Sequence, residues 1–360
     1  MTAEEIALIR KLVVKSEKEK KLTDPLLKLI EDKQWFRIFV PTKYNGNVQP
    51  LTRVVALEEH LAHIDGSLGW TVTLCSGAGW FAGFLPESVA TEFMGARNCC
   101  IAGSGAPTGT ARRSGNGFIV NGTWKYATGA PHASSFTANC FILDEKGEPE
   151  TENGAPLVRA FIFRREEVWP MQNWNAIGMI ASASHGFEIR DRYVDGERSF
   201  NIRPEAATSD HPVFQYPFLQ LAEVTLAANI SGMVRHFLDI CKASFAAEAL
   251  EKKFSHRQSE RIRKDLETAE QEMETVRNSF YAAVFASWEY CENAKALPDE
   301  LLSYVSRISK LLVSTGIQWV DTLYPYGGLG FADRDSEVNR VWRDIHTAGQ
   351  HTLLLRDIEN

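Results

Sequence analysis

The 360-residue sequence has no apolar run that approaches the roughly 20 residues needed to span a bilayer. Its start, Met-Thr-Ala-Glu-Glu-Ile, lacks the basic-then-apolar order of a signal peptide. Six cysteines without a Cys-x-x-Cys pair exclude a disulfide framework. Basic residues are the minority, with 39 Lys and Arg against 46 Asp and Glu, so there is no electrostatic footprint for nucleic acid or anionic membrane. We therefore expect a cytoplasmic protein with reduced cysteines and no nucleic-acid or membrane partner.

Common catalytic signatures are also missing. The glycine-rich stretches lack the strand–GxGxxG–helix context of a dinucleotide site, and there is no P-loop and no Gly-x-Ser-x-Gly elbow. His60 and His63 lie three residues apart beside Glu58 and Glu59, but they match no metal-binding template. We interpret that stretch as a solvated helix face and predict no metal site.

The patterns that are present divide the chain into three parts. Residues 1–98 have helical apolar spacing, for example through Val54, Leu57 and Leu61. From residue 99 glycines become frequent, and short apolar runs predict strands at 118–122, 137–143, 157–163, 187–189 and 193–194. We predict an N-terminal α-helical domain at 1–98, a central β domain at 99–203 and a C-terminal helical domain at 204–360.

The C-terminal part has the clearest helix signal. Apolar or small residues recur at alternating spacings of four and three from Ile262 to Ser287, with mostly charged or polar residues between them. This two-per-heptad seam is typical of a long helix in a bundle. A second long helix is predicted for Asp299–Leu323, and a last helix from about Ser336.

Two segments combine aromatic, hydroxyl and charged residues in a way that could serve chemistry. One is Gly122–Gly129, an aromatic strand that ends in Thr128 and a glycine, and the other is Trp342–His351, with an ion pair followed by two histidines. Taken alone, each also fits a structural interpretation, as a strand edge with a turn and as a helix with charge at its start.

Together with the α, β, α order, these segments resemble the acyl-CoA dehydrogenase superfamily over nearly the whole chain. Within it they are most similar to the oxygenase components of two-component flavin-dependent monooxygenases, such as hydroxyphenylacetate and steroid-phenol hydroxylases, dibenzothiophene monooxygenase and nitrososynthases. The motifs that carry the resemblance are Asp65-Gly66-Ser67-Leu68-Gly69-Trp70, Pro107-Thr108-Gly109-Thr110-Ala111 with Gly122–Gly129, Trp174–Ser184, Gly327-Gly328-Leu329-Gly330 and Trp342–His351. The resemblance implies an α+β fold with an N-terminal α-helical domain, a central β-barrel-like domain and a C-terminal four-helix bundle, usually as a homotetramer.

The resemblance also assigns residues to a flavin site. Thr128 takes the hydroxyl position near the flavin N5, where it would help a C4a-hydroperoxide survive until oxygen transfer. Ser182 and Ser184 stand in the second flavin-side motif, where the usual Gly-Thr-Gly-Ser is Ala-Ser-Ala-Ser in this chain. The predicted cofactor-binding set is Trp124, Tyr126, Thr128, Ser182, Ser184, Gly327 and Gly328.

His351 matches the family's active-site histidine and, with Thr128, makes the predicted catalytic pair. A neutral imidazole there would deprotonate a phenol or orient the distal oxygen of the hydroperoxide. His346, one helical turn earlier, ranks second. Acyl-CoA dehydrogenases need a glutamate base, and its usual place is taken here by His351-Thr352-Leu353. Glu223 lies near an alternative position for that base and fits a structural glutamate equally well.

The resemblance therefore implies an oxygenase that uses reduced FAD or FMN from a separate flavin reductase. It would act through a C4a-hydroperoxyflavin on a small aromatic or amine substrate. Two alternatives remain open at this point. One is an acyl-CoA dehydrogenase-like desaturase that uses FAD and Glu223 as the base, and the other is a flavin-free structural homologue.

Overall fold

The computed structural model describes residues 1–355, except for the side chains of residues 247 and 248. The helices of this part are α1 (Ala3–Glu19), α2 (Asp24–Asp32), α3 (Leu51–Ile64), α4 (Gly66–Gly79), α5 (Glu87–Met94), α6 (Phe218–Ser244), α7 (Ala247–Glu251), α8 (His256–Glu292), α9 (Asp299–Leu323), α10 (Leu329–Ala332) and α11 (Glu337–Ala348). Its strands are β1 (Ile101–Ser114), β2 (Gly117–Ala127), β3 (Ser135–Leu143), β4 (Thr151–Glu152), β5 (Ala155–Pro156), β6 (Val158–Arg164), β7 (Trp169–Pro170), β8 (His185–Asp195) and β9 (Ser199–Phe200). The predicted order of helices, sheet and helices is confirmed. Within residues 1–355 no helix has the length and apolarity to cross a membrane.

Seven strands form one sheet in the order β7-β8-β2-β1-β3-β6-β9, and β4 pairs with β5 in a separate ribbon. β1 runs parallel to β3, whereas β2 is antiparallel to both of its neighbours. Residues 187–189 and 193–194, predicted as separate strands, lie in the single strand β8. The register against β2 shifts near Asp191, whose φ is +42°, so a bulge interrupts the apolar pattern without ending the strand.

The predicted long helices of the C-terminal part are confirmed. α9 has the predicted limits, and α8 contains the predicted seam. The seam faces the core because its spacing keeps it on one side of the helix. Its fully or nearly buried members include Ile262, Leu266, Ala269, Met273, Phe280 and Ala283. α8 packs on α9 and α6, and α11 packs across α6.

The interpretation of the stretch from Glu58 to His63 as a solvated helix face is wrong for its two glutamates. α3 is packed by α4, α6 and α8, so it has little free surface. Glu58 is fully buried, and burial raises its pKa to about 8. Glu59 is 3 % exposed and receives two hydrogen bonds from Arg277, at 2.7 and 2.6 Å, and one from Tyr281 at 2.9 Å. In the described chain no cluster of three or more His, Cys, Asp or Glu side chains could hold a metal ion.

We expect Glu59→Ala to lower the free energy of unfolding by about 3–5 kcal/mol, because Arg277 and Tyr281 would lose their buried acceptor. Urea unfolding followed by circular dichroism measures the change. Glu267→Ala, at an exposed position of α8, is the control and should alter stability by less than about 0.5 kcal/mol. Equal losses in the two variants would contradict the importance of the ion pair.

Candidate active site

Three buried hydroxyl groups form a hydrogen-bonded chain beyond the end of β2. Thr128 Oγ1 lies 2.8 Å from Ser184 Oγ, which lies 2.8 Å from Ser182 Oγ. Ser182 Oγ donates in turn to the carbonyl oxygen of Met179 at 2.7 Å. None of the three hydroxyl residues is more than 4 % exposed. The structure thus brings together three of the residues predicted to contact the flavin.

The donor direction along this chain follows from its last acceptor. A carbonyl oxygen only accepts, so Ser182 uses its single hydroxyl proton on Met179. Ser184 must therefore donate to Ser182, and Thr128 must donate to Ser184. The oxygen of Thr128 keeps its lone pairs for a donor from outside the chain. At this position the protein presents a hydrogen-bond acceptor.

Pairing between β2 and β8 places Thr128 opposite Ser184. Ala127, the last residue of β2, pairs with His185, the first residue of β8, in an antiparallel register, so Thr128 just after β2 faces Ser184 just before β8. β2 ends and β8 begins at this point, and the hydroxyl groups of Thr128 and Ser184 meet just beyond the paired residues. The site therefore lies at the ends of two neighbouring strands, next to a register shift between Trp124 and Ala127.

Helix α4 contacts both the hydroxyl chain and His351. The Cys75 thiol donates to the carbonyl oxygen of Thr128 at 3.6 Å. Gly129 has a φ of +75°, and a β-carbon there would lie 2.8 Å from Cys75 Sγ, so this turn needs glycine. One turn earlier on α4, the ring of Trp70 meets that of His351 edge-on, with centroids 6.0 Å apart. The two predicted catalytic residues thus lie beside consecutive turns of one helix.

The surroundings of the two histidines differ. The Leu353 amide donates to His351 Nδ1 at 3.4 Å, and burial lowers the pKa of His351. A neutral ring that accepts at Nδ1 carries its proton on Nε2, which favours donation to a bound oxygen over proton abstraction. His346 is engaged elsewhere, because its ring nitrogens lie 2.8 Å from the Trp342 carbonyl oxygen and 2.8 Å from Asp321 Oδ1 in α9.

Helix α11 holds the segment that carries the two serines, residues 177–184, which we call the serine segment. Asp344 accepts from the Met179 amide at 2.5 Å, and Thr347 Oγ1 accepts from the Gly178 amide at 3.0 Å. Arg343 donates to the carbonyl oxygen one residue before Gly178 at 2.8 Å. Two sequence motifs about 165 residues apart are therefore joined by hydrogen bonds between side chains of α11 and the backbone of the serine segment.

The two aromatic residues of the predicted cofactor set have different environments. Trp124 is fully buried in the sheet, where Nε1 donates to the Asn139 carbonyl oxygen at 3.0 Å and the ring stacks on Phe187. Tyr126 is 69 % exposed, has a φ of +66° and meets the ring of Trp174 edge-on at 6.2 Å. Of these two rings, only that of Tyr126 is accessible to a ligand. The cofactor-binding roles of Trp124 and Tyr126 both stay predictions.

The predicted glycines lie at another place. Gly327 lines a cavity of about 340 Å³ together with Tyr326, Gly330 and Phe331, and neither the hydroxyl chain nor the predicted histidine is among the described residues that line it. Gly328 follows with a φ of +59°, in the left-handed region that favours glycine. The structure does not bring these glycines to the hydroxyl chain, and their cofactor role stays a prediction.

Glu223 lies at the contact between α6 and α9. Its side chain is 2 % exposed and accepts a hydrogen bond from Ser306 Oγ of α9. This placement agrees with the interpretation of Glu223 as a structural glutamate.

Comparison with known proteins shows which proteins this chain is similar to. Residues 224–355 match the family described as acyl-CoA dehydrogenase, C-terminal domain. The oxygenase subunit HsaA of a flavin-dependent monooxygenase from Mycobacterium tuberculosis (strain ATCC 25618 / H37Rv) is 24 % identical over an alignment of 361 positions. The alignment covers 95 % of this chain and 88 % of HsaA. Indole-3-acetate monooxygenase from Pseudomonas putida is 22 % identical over 321 residues, 89 % of this chain and 80 % of that protein.

Solved structures show the same fold. XiaF from Streptomyces sp., in complex with FADH2 and glycerol, superposes with a TM-score of 0.87 at 22 % identity, covering 98 % of this chain and 89 % of XiaF. The 3-HSA hydroxylase from Rhodococcus sp. RHA1 has a TM-score of 0.88 at 19 % identity, with 97 % and 90 % coverage. The chain thus has an acyl-CoA dehydrogenase-like fold. The resemblance to the oxygenase components of two-component flavin monooxygenases, drawn above from five motifs, is confirmed.

The contact between α11 and the serine segment depends on the absence of a side chain at Gly178. A β-carbon there would lie 2.1 Å from the carbonyl oxygen of Arg343. We expect Gly178→Ala to lower the free energy of unfolding by about 1–3 kcal/mol, because backbone must shift to admit the methyl group.

Urea unfolding measures this loss of stability. Gly105→Ala is the matched control, since a β-carbon at Gly105 meets no atom within 4 Å. If the two alanine variants unfold at the same urea concentration, the tight contact at Gly178 does not matter for stability.

Proposed function

We propose that the protein is the oxygenase component of a two-component monooxygenase. It takes reduced FAD or FMN from a separate flavin reductase and oxygenates a small aromatic or amine substrate. The names of its relatives, which include oxygenase subunits and an indole-3-acetate monooxygenase, support this function. The buried thiols support a cytoplasmic location, and a homotetramer is part of the same proposal.

The observation that carries the proposal is the hydroxyl chain from Thr128 to the Met179 carbonyl oxygen, in which every hydroxyl group donates in the same direction. The hydroxyl oxygen of Thr128 is an acceptor for a ligand, because Thr128 donates its only hydroxyl proton to Ser184. Reduced flavin carries an N–H group at N5, whereas the N5 of oxidised flavin offers only a lone pair. The acceptor that the chain presents at Thr128 therefore fits the N5–H group of reduced flavin.

The remaining roles follow from burial and hydrogen bonding. When bound, reduced flavin supplies the electrons that activate molecular oxygen for transfer to the substrate. Thr128 would accept from N5–H and keep that proton in place, and the buried turn around it excludes water. His351, neutral and protonated on Nε2, would donate to an oxygen atom beside Trp70.

The function is tested by loading the protein with reduced FAD or FMN without oxygen and mixing it rapidly with oxygenated buffer. We expect the spectrum of oxidised flavin to appear only after seconds, because the protein holds the N5 proton and excludes water. Free reduced flavin at the same concentration is the control.

Immediate reoxidation with release of hydrogen peroxide would count against the proposal. Reduction of the bound flavin by a short acyl-CoA without oxygen would instead favour the desaturase. A protein that binds neither flavin at micromolar concentration would favour the flavin-free alternative.

The direction of the hydroxyl chain leads to a second prediction. In Ser182→Ala, Ser184 no longer has an acceptor on that side and can donate to Thr128, so Thr128 can also present a donor. We expect the preference for reduced over oxidised flavin to fall about tenfold, the equivalent of one hydrogen bond of about 1.4 kcal/mol.

Equilibrium titration of the protein with both redox forms gives this ratio of dissociation constants. Ser303→Ala, at an exposed position of α9, is the control. An unchanged ratio in Ser182→Ala, with both forms still bound, would show that the chain does not set the preference.

A further inference from the structure

Two buried carboxyl groups lie near each other where α4, α11 and the serine segment join. Asp65 is the N-cap of α4 and accepts from the Leu68 amide at 2.9 Å. Asp344 accepts from the Met179 amide at 2.5 Å. The two aspartates are 4 % and 3 % exposed, and a β-carbon at Gly66 would lie 2.9 Å from Asp344 Oδ2. One carboxyl thus orients α4, and the other orients the serine segment beside it.

The charges around this pair do not balance if both carboxyls are ionised. Arg340 Nε lies 3.5 Å from Asp65 Oδ2, whereas Arg343 pairs with Glu17 at 2.6 Å. Three carboxyl groups therefore share two guanidinium groups. Other charged or titratable groups around this cluster are His236, which acts on Asp65, and Glu337, which His236, Arg340 and Arg10 surround. His236 and Glu337 lie 3.2 Å apart and pair with each other.

We propose that Asp65 and Asp344 share one proton and act together as positioning residues for the hydroxyl chain of the candidate active site. The proton lies mainly on Asp344, because Asp65 faces Arg340 and the N-terminus of α4, which both favour a negative charge. With one carboxyl neutral, α4 and the serine segment are joined without repulsion. With both ionised, two like charges in a buried site push the serine segment away from α4. The consequence for flavin rests on the proposed function, whereas the consequence for the segment does not.

The pKa directions agree with this arrangement and give the sign of its pH dependence. Burial, and then the nearby Asp65, raises the pKa of Asp344 to about 8, and burial also raises the pKa of Asp65. A raised pKa means that the folded protein binds the proton more tightly than the unfolded chain. The contribution of the bound proton to the stability of the folded protein is complete at pH values below the ordinary carboxyl pKa. It is lost as the pH rises through about 8.

The test is hydrogen exchange of the full-length protein between pH 7 and 9.5, with rates corrected for the intrinsic effect of pH. We expect the protection of amides in residues 177–184 to fall at least tenfold in the wild type. Asp344→Asn keeps an acceptor for the Met179 amide but carries no charge, so its protection should change less than threefold. Asp65→Asn, whose side chain also caps helices well, should behave in the same way.

Asp335→Asn is the matched control, because it removes an exposed carboxylate just before α11 and should follow the wild type. A wild type without the loss would overturn the proposal, and so would a loss of protection in Asp344→Asn and Asp65→Asn that runs parallel to that of the wild type. If one of the two variants does not fold, the other decides.

Flavin affinity is measured on the same samples and should fall with protection in the wild type and in Asp335→Asn, but not in Asp344→Asn or Asp65→Asn. If the wild type binds no flavin at any pH, the proposed function fails, and the exchange profile still decides the role of the carboxyl pair.

Discussion

The hydrogen bond from the Met179 amide to the buried carboxyl of Asp344 joins the sheet to the C-terminal helices. The serine segment has little regular structure of its own beyond the short turn Ile180–Ser182. Its backbone groups would be unsatisfied in a buried place without partners from α11, and such groups are costly to leave unpaired. Asp344 and Thr347 supply those partners and thereby decide where Ser182 and Ser184 lie.

The same need for satisfied hydrogen bonds gives the site its chemical character. Every hydroxyl in the chain has one proton, and the first proton goes to a carbonyl oxygen, so the remaining directions follow. The result is an acceptor at Thr128 that is set by the backbone of Met179. Backbone strain accompanies this arrangement, since Met179 and Ala183 have φ values of +52° and +46°. Residues other than glycine keep such conformations only where their surroundings hold them.

Parts of the structure that depend on local pattern were predictable. The limits of α9 and the buried seam of α8 follow from apolar spacing, and the start of α11 follows from Ser336, whose side chain caps the helix. The bulge near Asp191 was not predictable, because its break in the apolar pattern is the same as that of a turn between two strands. The burial of Glu58 and Glu59 was not predictable, because it depends on the helices packed around α3, and charged residues are seldom buried.

The order of elements, the long helices and the five motifs that carry the resemblance to flavin monooxygenases can be read from the sequence alone. Each of these features depends on residues that are close together in the sequence. Other features depend on how distant parts of the chain pack together. Thr128 and Ser184 meet where β2 ends and β8 begins, Asp344 holds the serine segment, and Gly327 lines a cavity whose described lining does not include the hydroxyl chain. These features are not predictable from the sequence because hydrogen-bond direction, charge balance and close backbone approach depend on groups that are far apart in sequence. A local pattern does not indicate which of those groups face each other.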